Sequence, residues 1–228
     1  MAGVKIGRKY KYIIISIIIS AILFSALSLS GCSETDKATT ESPPNASVTI
    51  KDVEYSTALT ELDLSDKMLE DSDIEPLKYM VNLTKLNLRG NEITDINVLC
   101  GLTKLTELDL GWNQISGISA LRGLTDLTKL DLSMNQISDI NALSNLTDLT
   151  YLILGNNQIS DISALGRLIN LTYLELDDNQ INEIETLSKL TNLTYLYLLC
   201  SGITVSQKDG LQAVLPNCYI DYWGSPNS

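Results

Sequence analysis

The sequence predicts an α/β solenoid in which short parallel strands form one concave sheet and 3₁₀ or irregular segments return along the convex side. Three observations lead there. The motif Leu-Thr-x-Leu-x-Leu begins at Leu83, Leu105, Leu127, Leu149, Leu171 and Leu193, always 22 residues apart, with an earlier copy at Leu59. Within a unit the apolar positions are 1, 4, 6, 11, 14, 17 and 20, as in Leu127, Leu130, Leu132, Ile137, Ile140, Leu143 and Leu146. The composition is skewed to match, with 39 Leu among 228 residues, one Phe and no His.

Each unit opens with a strand, because positions 4 and 6 are apolar between polar neighbours, the period of a half-buried strand. Positions 11 to 20 then carry an apolar residue about every third place, which fits a 3₁₀ return. One coil cannot bury its own Leu face, so coils must stack, and their strands pair in parallel about 4.8 Å apart. Asn recurs at position 9 as Asn91, Asn113, Asn135, Asn157 and Asn179. A buried amide is costly unless bonded, so this ladder is expected to satisfy backbone groups of adjacent coils, a structural role. Asp95, Asp139, Asp161 and Glu183 recur at position 13. They read either as caps of the return, each accepting from an N–H two or three residues on, or as a calcium ladder. Capping is preferred because Gly117 interrupts the row and no second row of ligands accompanies it.

The full unit LTxLxLxxNxIxDIxxLxxLxx resembles the leucine-rich repeat of the internalin type, from Leu59 to Ile220. The resemblance implies a right-handed curved solenoid whose concave strands bind a protein partner. Beyond Ile220 the sequence shows neither a sortase-type anchoring motif nor an immunoglobulin-like domain, and on that departure from internalins the chain is expected to be more similar to a repeat-bearing bacterial surface lipoprotein.

The ends follow different rules. Residues 1–31 have the form of a secretory signal, with Lys5, Arg8, Lys9 and Lys11 before an apolar run from Tyr12 to Leu29. Leu29-Ser30-Gly31-Cys32 resembles a bacterial lipobox, which implies a lipid on Cys32 and anchorage at the outer face of a bacterial membrane. An uncleaved transmembrane anchor is the alternative, since the run is just long enough to span a bilayer. Residues 32–47 read as a polar, Pro-containing tether. Residues 48–82 are expected to form the N-terminal cap and first repeat, with Val48, Ile50, Val53 and Tyr55 covering the first coil. Residues 83–204 hold the remaining repeats and 205–228 the C-terminal cap. In that cap Gln207 to Val214 predicts a short helix. Leu215 to Ile220 returns to the strand pattern in 22-residue phase, which puts Cys218 at core position 4 and Tyr219 at position 5. Cys100, Cys200 and Cys218 are expected as free thiols, with a Cys200–Cys218 disulfide as the alternative.

Charge and composition narrow the function. With 28 acidic against 16 basic residues and a net charge of −12, the chain lacks the clustered cations that nucleic acid requires. Without His there is no His-dependent triad and no imidazole metal site, and no cysteine spacing suits zinc. No enzyme and no cofactor are expected, because the acids line an open curved sheet. Positions 3, 5, 7 and 8 project from the concave face. Position 3 runs Glu61, Lys85, Glu107, Lys129, Tyr151, Tyr173, Tyr195. Position 5 runs Asp63, Asn87, Asp109, Asp131, Ile153, Glu175, Tyr197, then Tyr219, and position 8 adds Trp112 and Met134. The face therefore divides into a charged, acid-biased half and an aromatic half. Tyr151, Ile153, Tyr173, Tyr195, Tyr197, Tyr219, Trp112 and Met134 are the candidate partner-binding residues, since exposed aromatics in one patch are what protein-recognition surfaces use. The alternative is cross-strand stacking that stabilises the sheet. The expected function is that of a lipid-anchored extracellular protein recognising a protein partner; carbohydrate binding and a passive envelope spacer are the rivals.

Overall fold

The computed structural model describes residues 46–199 and 202–222. The signal segment, Cys32 and Cys200 lie outside the described residues.

Two antiparallel strands, β1 (Ser47–Ile50) and β2 (Val53–Ser56), form a hairpin ahead of the repeats. Every later unit contributes a strand of three residues at positions 3 to 5. These are β3 (Glu61–Asp63), β4 (Lys85–Asn87), β5 (Glu107–Asp109) and β6 (Lys129–Asp131), then β7 (Tyr151–Ile153), β8 (Tyr173–Glu175), β9 (Tyr195–Tyr197) and β10 (Tyr219–Asp221). They pair in parallel in chain order as one eight-stranded sheet. The central residue of each strand points inward, so Leu62, Leu86, Leu108, Leu130, Leu152, Leu174, Leu196 and Ile220 stack in register. The returns are 3₁₀ segments such as Asn97–Gly101, Ser119–Gly123 and Asn141–Asn145, as the three-residue apolar spacing requires. All seven apolar positions of the unit from Leu127 to Leu146 are at most 2% exposed, each contributing about 1.5–3 kcal/mol by burial.

Polar ladders tie the coils together. Asn135 accepts from the Ile115 N–H at 2.9 Å and donates to the carbonyls of Leu110, Leu132 and Ser133. Asn113, Asn157 and Asn179 repeat the arrangement, and Asn91 serves Lys67 and Leu69 of the first coil. A second ladder runs along position 2, where the hydroxyls of Thr84, Thr106, Thr128, Thr150, Thr172 and Thr194 each donate to the carbonyl of the same position one coil earlier. Asp95, Asp139 and Asp161 accept from the N–H two residues on, the capping geometry. Among the described residues Glu183, one methylene longer, takes no such bond.

Both ends depart from the 22-residue phase. The first unit carries a short α1 (Asp71–Ile74), and the last return is replaced by α2 (Val205–Val214), opened by a Thr204–Gln207 capping box. Glu61 pairs with Lys85 and Tyr195 with Tyr219, each 24 residues apart, because an α-helical return uses more chain than a 3₁₀ one. The expected phase of the last strand is thus corrected by two residues. Tyr219 stands at position 3 and Ile220 at position 4, while Cys218 precedes the strand. A shift of two preserves side-chain parity, so Cys218 is still buried, as a free thiol, and Tyr219 still faces the concave side. Other expectations are corrected as well. Val53 is exposed, leaving Ile50 as the hairpin's buried residue, with Val48 and Tyr55 packed partly against the core. Ser47, assigned to the tether, begins β1. Cys100 is disulfide-bonded rather than free, to a partner outside the described residues.

Candidate binding face

The concave side chains of the first four coils are largely occupied with one another. At position 5, Asp63, Asn87, Asp109 and Asp131 each accept from the N–H of position 7, at 2.9, 3.0, 2.9 and 2.8 Å. These Asx turns close the backbone where each strand ends. At position 3, Lys85 lies 3.2 Å from Glu61 and 3.9 Å from Glu107, and Lys129 lies 3.4 Å from Glu107. Arg89 lies 3.1 Å from Asp131 and 3.9 Å from Asp109, with its guanidinium 5.8 Å over the Trp112 ring. Exposed pairs contribute little stability, but they offset part of the negative charge of the face. A shallow depression of about 310 Å³ lies over β3, β4 and β5, lined by these mutually paired groups.

The Asx turn is abandoned at the next three coils, where position 5 is Ile153, Glu175 and Tyr197. Aromatic contacts take over. Tyr151 and Tyr173 stack with centroids 4.3 Å apart at 16°. Tyr173 meets Tyr195 at 6.4 Å and Tyr197 at 5.5 Å, and Tyr219 meets Tyr195 at 6.3 Å and Tyr197 at 6.4 Å. Five tyrosines from four adjacent strands thus form one continuous patch, with Ile153 half-buried beside it. Tyr195 and Tyr219 are exposed, whereas Tyr151, Tyr173 and Tyr197 are half-buried by their neighbours.

Trp112 and Met134 are not part of that patch. They occupy position 8, on the turn after the strand, where the backbone is left-handed: φ is 57° at Trp112 and 54° at Met134, as it is 69° at Gly90, 57° at Asn156 and 51° at Asp178. Side chains larger than Gly or Asn pay roughly 1 kcal/mol there. Trp112 is exposed and its ring contact is with Arg89 rather than a tyrosine; Met134 is half-buried.

The sequence reading missed a set of acids around the tyrosines. Tyr173 donates its hydroxyl to Glu175 at 3.3 Å, and Asp177, at position 7, accepts from the Leu199 N–H at 2.7 Å. Asp178 and Asp221 lie at the same strand ends. Glu175, Asp177 and Asp178 all stand at concave positions, 5, 7 and 8 of their unit, but Glu175 sits in a column rich in acids and the other two lie beyond the strand. Burial, then the neighbouring Asp177 charge, holds Glu175 above the ordinary carboxylate range. Burial likewise raises Asp177, with Asp178 and Asp221 adding to it against the Leu199 bond. Asp109 is raised by burial and by Asp131 despite its bond from Gly111. The phenol of Tyr173 is pushed up by burial and by Glu175.

These shifts have a consequence for stability. A carboxylate whose folded pKa is raised contributes fully below its unfolded pKa and loses that contribution as pH rises through the folded value. The fold is therefore expected to gain stability as pH falls from neutrality through the raised values of Glu175, Asp177 and Asp109 toward the ordinary range. Below it the trend reverses, because Asp63 and Asp161, held low chiefly by the N–H groups of Ser65 and Ser163, lose their contribution as pH falls through their own values. Urea midpoints measured between roughly pH 2 and 7 should rise as the pH falls from neutrality and then pass through a maximum near the ordinary carboxylate range; a steady decline from pH 7 downward contradicts this.

Comparison with known proteins agrees with the geometry. A family described as "Leucine Rich repeats (2 copies)" matches residues 125–167 and 169–211, and one described as "Leucine rich repeat" matches residues 57–115. Among solved structures, an internalin (inlF) of Listeria monocytogenes is 34% identical with a TM-score of 0.68, over 75% of this chain and 50% of that one. An internalin C2 of the same organism is 31% identical with a TM-score of 0.62, over 75% of this chain and 85% of that one. A leucine-rich-repeat protein of Leptospira interrogans is 31% identical with a TM-score of 0.61, over 64% of this chain and 38% of that one. No curated protein sequence matches the chain significantly. The chain spans half the length of the first of these structures.

Proposed function

The chain belongs to the leucine-rich-repeat proteins of the internalin type, and from that premise we propose that it is a lipid-anchored extracellular protein that recognises a protein partner through the C-terminal half of its concave face. Solenoids of this kind present an extended concave surface, and this one concentrates its aromatic side chains on four strands of it. The observation that carries the reading is the tyrosine patch of β7 to β10, built where the chain gives up the Asx turns that close its earlier strands. Tyr197 takes the place of a turn-closing acid at position 5, and the other four tyrosines take position 3, where the earlier coils carry paired Glu and Lys; rings there suit a partner, because Tyr offers large area and a polar tip at small rotameric cost.

The lipobox-like Leu29 to Cys32 and the polar tether after it support placement on the outside of a bacterial membrane. Intact-mass measurement of membrane-extracted protein tests that part; an unmodified Cys32 removes the anchor. Glycan recognition is less favoured, because sugar rings need open aromatic faces and Tyr151 and Tyr173 turn theirs to each other. A passive spacer would leave the patch only the role of stacking across its own strands, which does not call for the exposed rings of Tyr195 and Tyr219.

The binding reading is tested by replacing Tyr151, Tyr173 and Tyr195 together with Ala and cross-linking on living cells. Buried aromatic anchors contribute about 2 kcal/mol or more at protein interfaces, so capture of the partner should fall by about 30-fold or more. Urea unfolding of the same variant must still show a cooperative fold. Undiminished capture contradicts the proposal.

A further inference from the structure

Both halves of the concave face combine acids with aromatic rings, but among the described residues only the first adds cations to them. In the first half, Arg89 at position 7 is held by two carboxylates, Asp131 at 3.1 Å and Asp109 at 3.9 Å, and by the face of Trp112 at 5.8 Å. Three coils further along, the residue in the place of Arg89 is Gly155, the one in the place of Asp109 is Glu175, and the one in the place of Asp131 is Tyr197. One acid is thus kept, a ring stands in the place of the other, Asp178 stands in the place of Trp112, and the guanidinium is replaced by a residue with no side chain. The Glu175 carboxylate leans into that space: a Cβ on Gly155 would stand 2.7 Å from its Oε1. Tyr173 and Tyr197, with centroids 5.5 Å apart, flank the site, and Asp177, Asp178 and Asp221 add negative charge at the strand ends. Among the described residues no Lys or Arg pairs with Glu175, Asp177, Asp178 or Asp221, whereas the acids of the first half have cations beside them. Burial first, and the neighbouring carboxylates after it, hold Glu175 and Asp177 above the ordinary carboxylate range.

We infer that the partner supplies the missing cation: an arginine of a basic segment seats over Gly155, against the carboxylates of Glu175 and Asp177 and the rings of Tyr173 and Tyr197. Arginine fits better than lysine because its planar guanidinium can stack on a ring while bonding a carboxylate edge-on, as Arg89 does within the chain. The inference rests on the concave-face reading and narrows the partner to a protein presenting a basic segment. Phosphate-rich and acidic partners are repelled by the same surface.

The test uses the full chain in neutral detergent and fluorescence anisotropy with labelled octa-arginine, octa-lysine and octa-glutamate. Octa-arginine should bind several-fold more tightly than octa-lysine, and octa-glutamate not at all. Replacing Glu175→Gln with Asp177→Asn should weaken octa-arginine about tenfold or more, the scale of a close charge pair at an interface. A control with the same loss of charge on the convex side, Glu183→Gln with Glu185→Gln, should change it less than about twofold, the scale of an exposed, screened charge. Gly155→Arg, which fills the seat from within the chain, should weaken it as much as the concave double variant. Equal weakening by the concave and convex pairs means diffuse attraction and overturns the seat, as does failure of octa-arginine to bind or capture of a glycan in place of a basic peptide. The two readings separate in the cell cross-link. If the tyrosine triple variant abolishes capture but the Glu175 and Asp177 variant does not, the face stands and the cation seat falls. Capture unaffected by the tyrosines sinks both.

Discussion

Asn135→Ala should cost about 3 kcal/mol of stability, measured by urea unfolding, although it removes only a single small, buried side chain. The amide oxygen is the acceptor for the Ile115 N–H at 2.9 Å, and its nitrogen reaches the carbonyls of Leu110, Leu132 and Ser133. The carbonyls survive the substitution with other donors. Leu110 is also served by Asn113, Leu132 by Asn157 and Ser133 by the Trp112 N–H. The Ile115 N–H has no such substitute and would be buried without an acceptor, which alone costs about 1–3 kcal/mol; the weakened carbonyl bonds add about 1 more. Asn135→Asp discriminates this account from simple packing. It keeps the acceptor but turns an ionised oxygen toward three carbonyls, so at neutral pH it should destabilise at least as much as Ala. Burial raises the folded pKa of such a carboxyl, so its stability is recovered as pH falls through that value, when a protonated oxygen can again donate. An Ala variant within about 0.5 kcal/mol of the parent, the range of an ordinary surface substitution, contradicts the ladder's role.

How much of this could be read from the residues depends on which interactions are periodic. The solenoid, the 3₁₀ returns and the buried Leu stripe were legible because each coil presents the same packing problem and solves it with the same side chains. The Thr ladder was equally periodic and went unread, since Thr at position 2 of a strand needs no explanation until its hydroxyl is seen to reach the coil before. The aperiodic ends were harder. The 24-residue spacing of the first unit is visible in the chain, but that of the last depends on α2 replacing a 3₁₀ return, and its strand carries only Ile220 where Leu196 has a full motif. The disulfide of Cys100 was not legible either, because position 18 of a single unit gives no sign of a partner.

On the concave face, the tyrosines were legible by parity alone. What parity does not reveal is which acids are already engaged. Asp63, Asp109 and Asp131 look like Glu175 in a column of letters, yet the first three close their own turns while Glu175 leans over Gly155. The difference lies in side-chain length, since Asp reaches the N–H two residues on and Glu overshoots it, a distinction that matters only once the strand end is placed.

Leu130→Ala should cost about 3–4 kcal/mol, and Leu62→Ala at the first strand of the same sheet roughly half as much. Both side chains occupy position 4 and lose the same atoms, so the transfer contribution is similar, and the difference comes from what surrounds the hole. Leu130 is fully buried and stacked in register between Leu108 and Leu152, with Leu127 and Leu132 of its own coil also fully buried. Nothing there can move into the space without breaking the match between coils, so the cavity persists. Leu62 is 8% exposed and has a strand of the sheet on one side only, with Leu86 as its in-register neighbour. The first coil can settle, and water can reach what remains. A solenoid is close to a one-dimensional array in which stability is the sum of each unit and its contacts with its neighbours. A defect in the middle weakens two junctions, whereas one at the end weakens one. Hydrogen exchange should show it directly: Leu62→Ala should lower protection in β3 and β4 only, while Leu130→Ala should lower it on both sides of β6 and broaden the urea transition. Equal costs and a uniform loss of protection would instead mean that the coils fold as one indivisible unit, with the terminal coil held as rigidly as the centre.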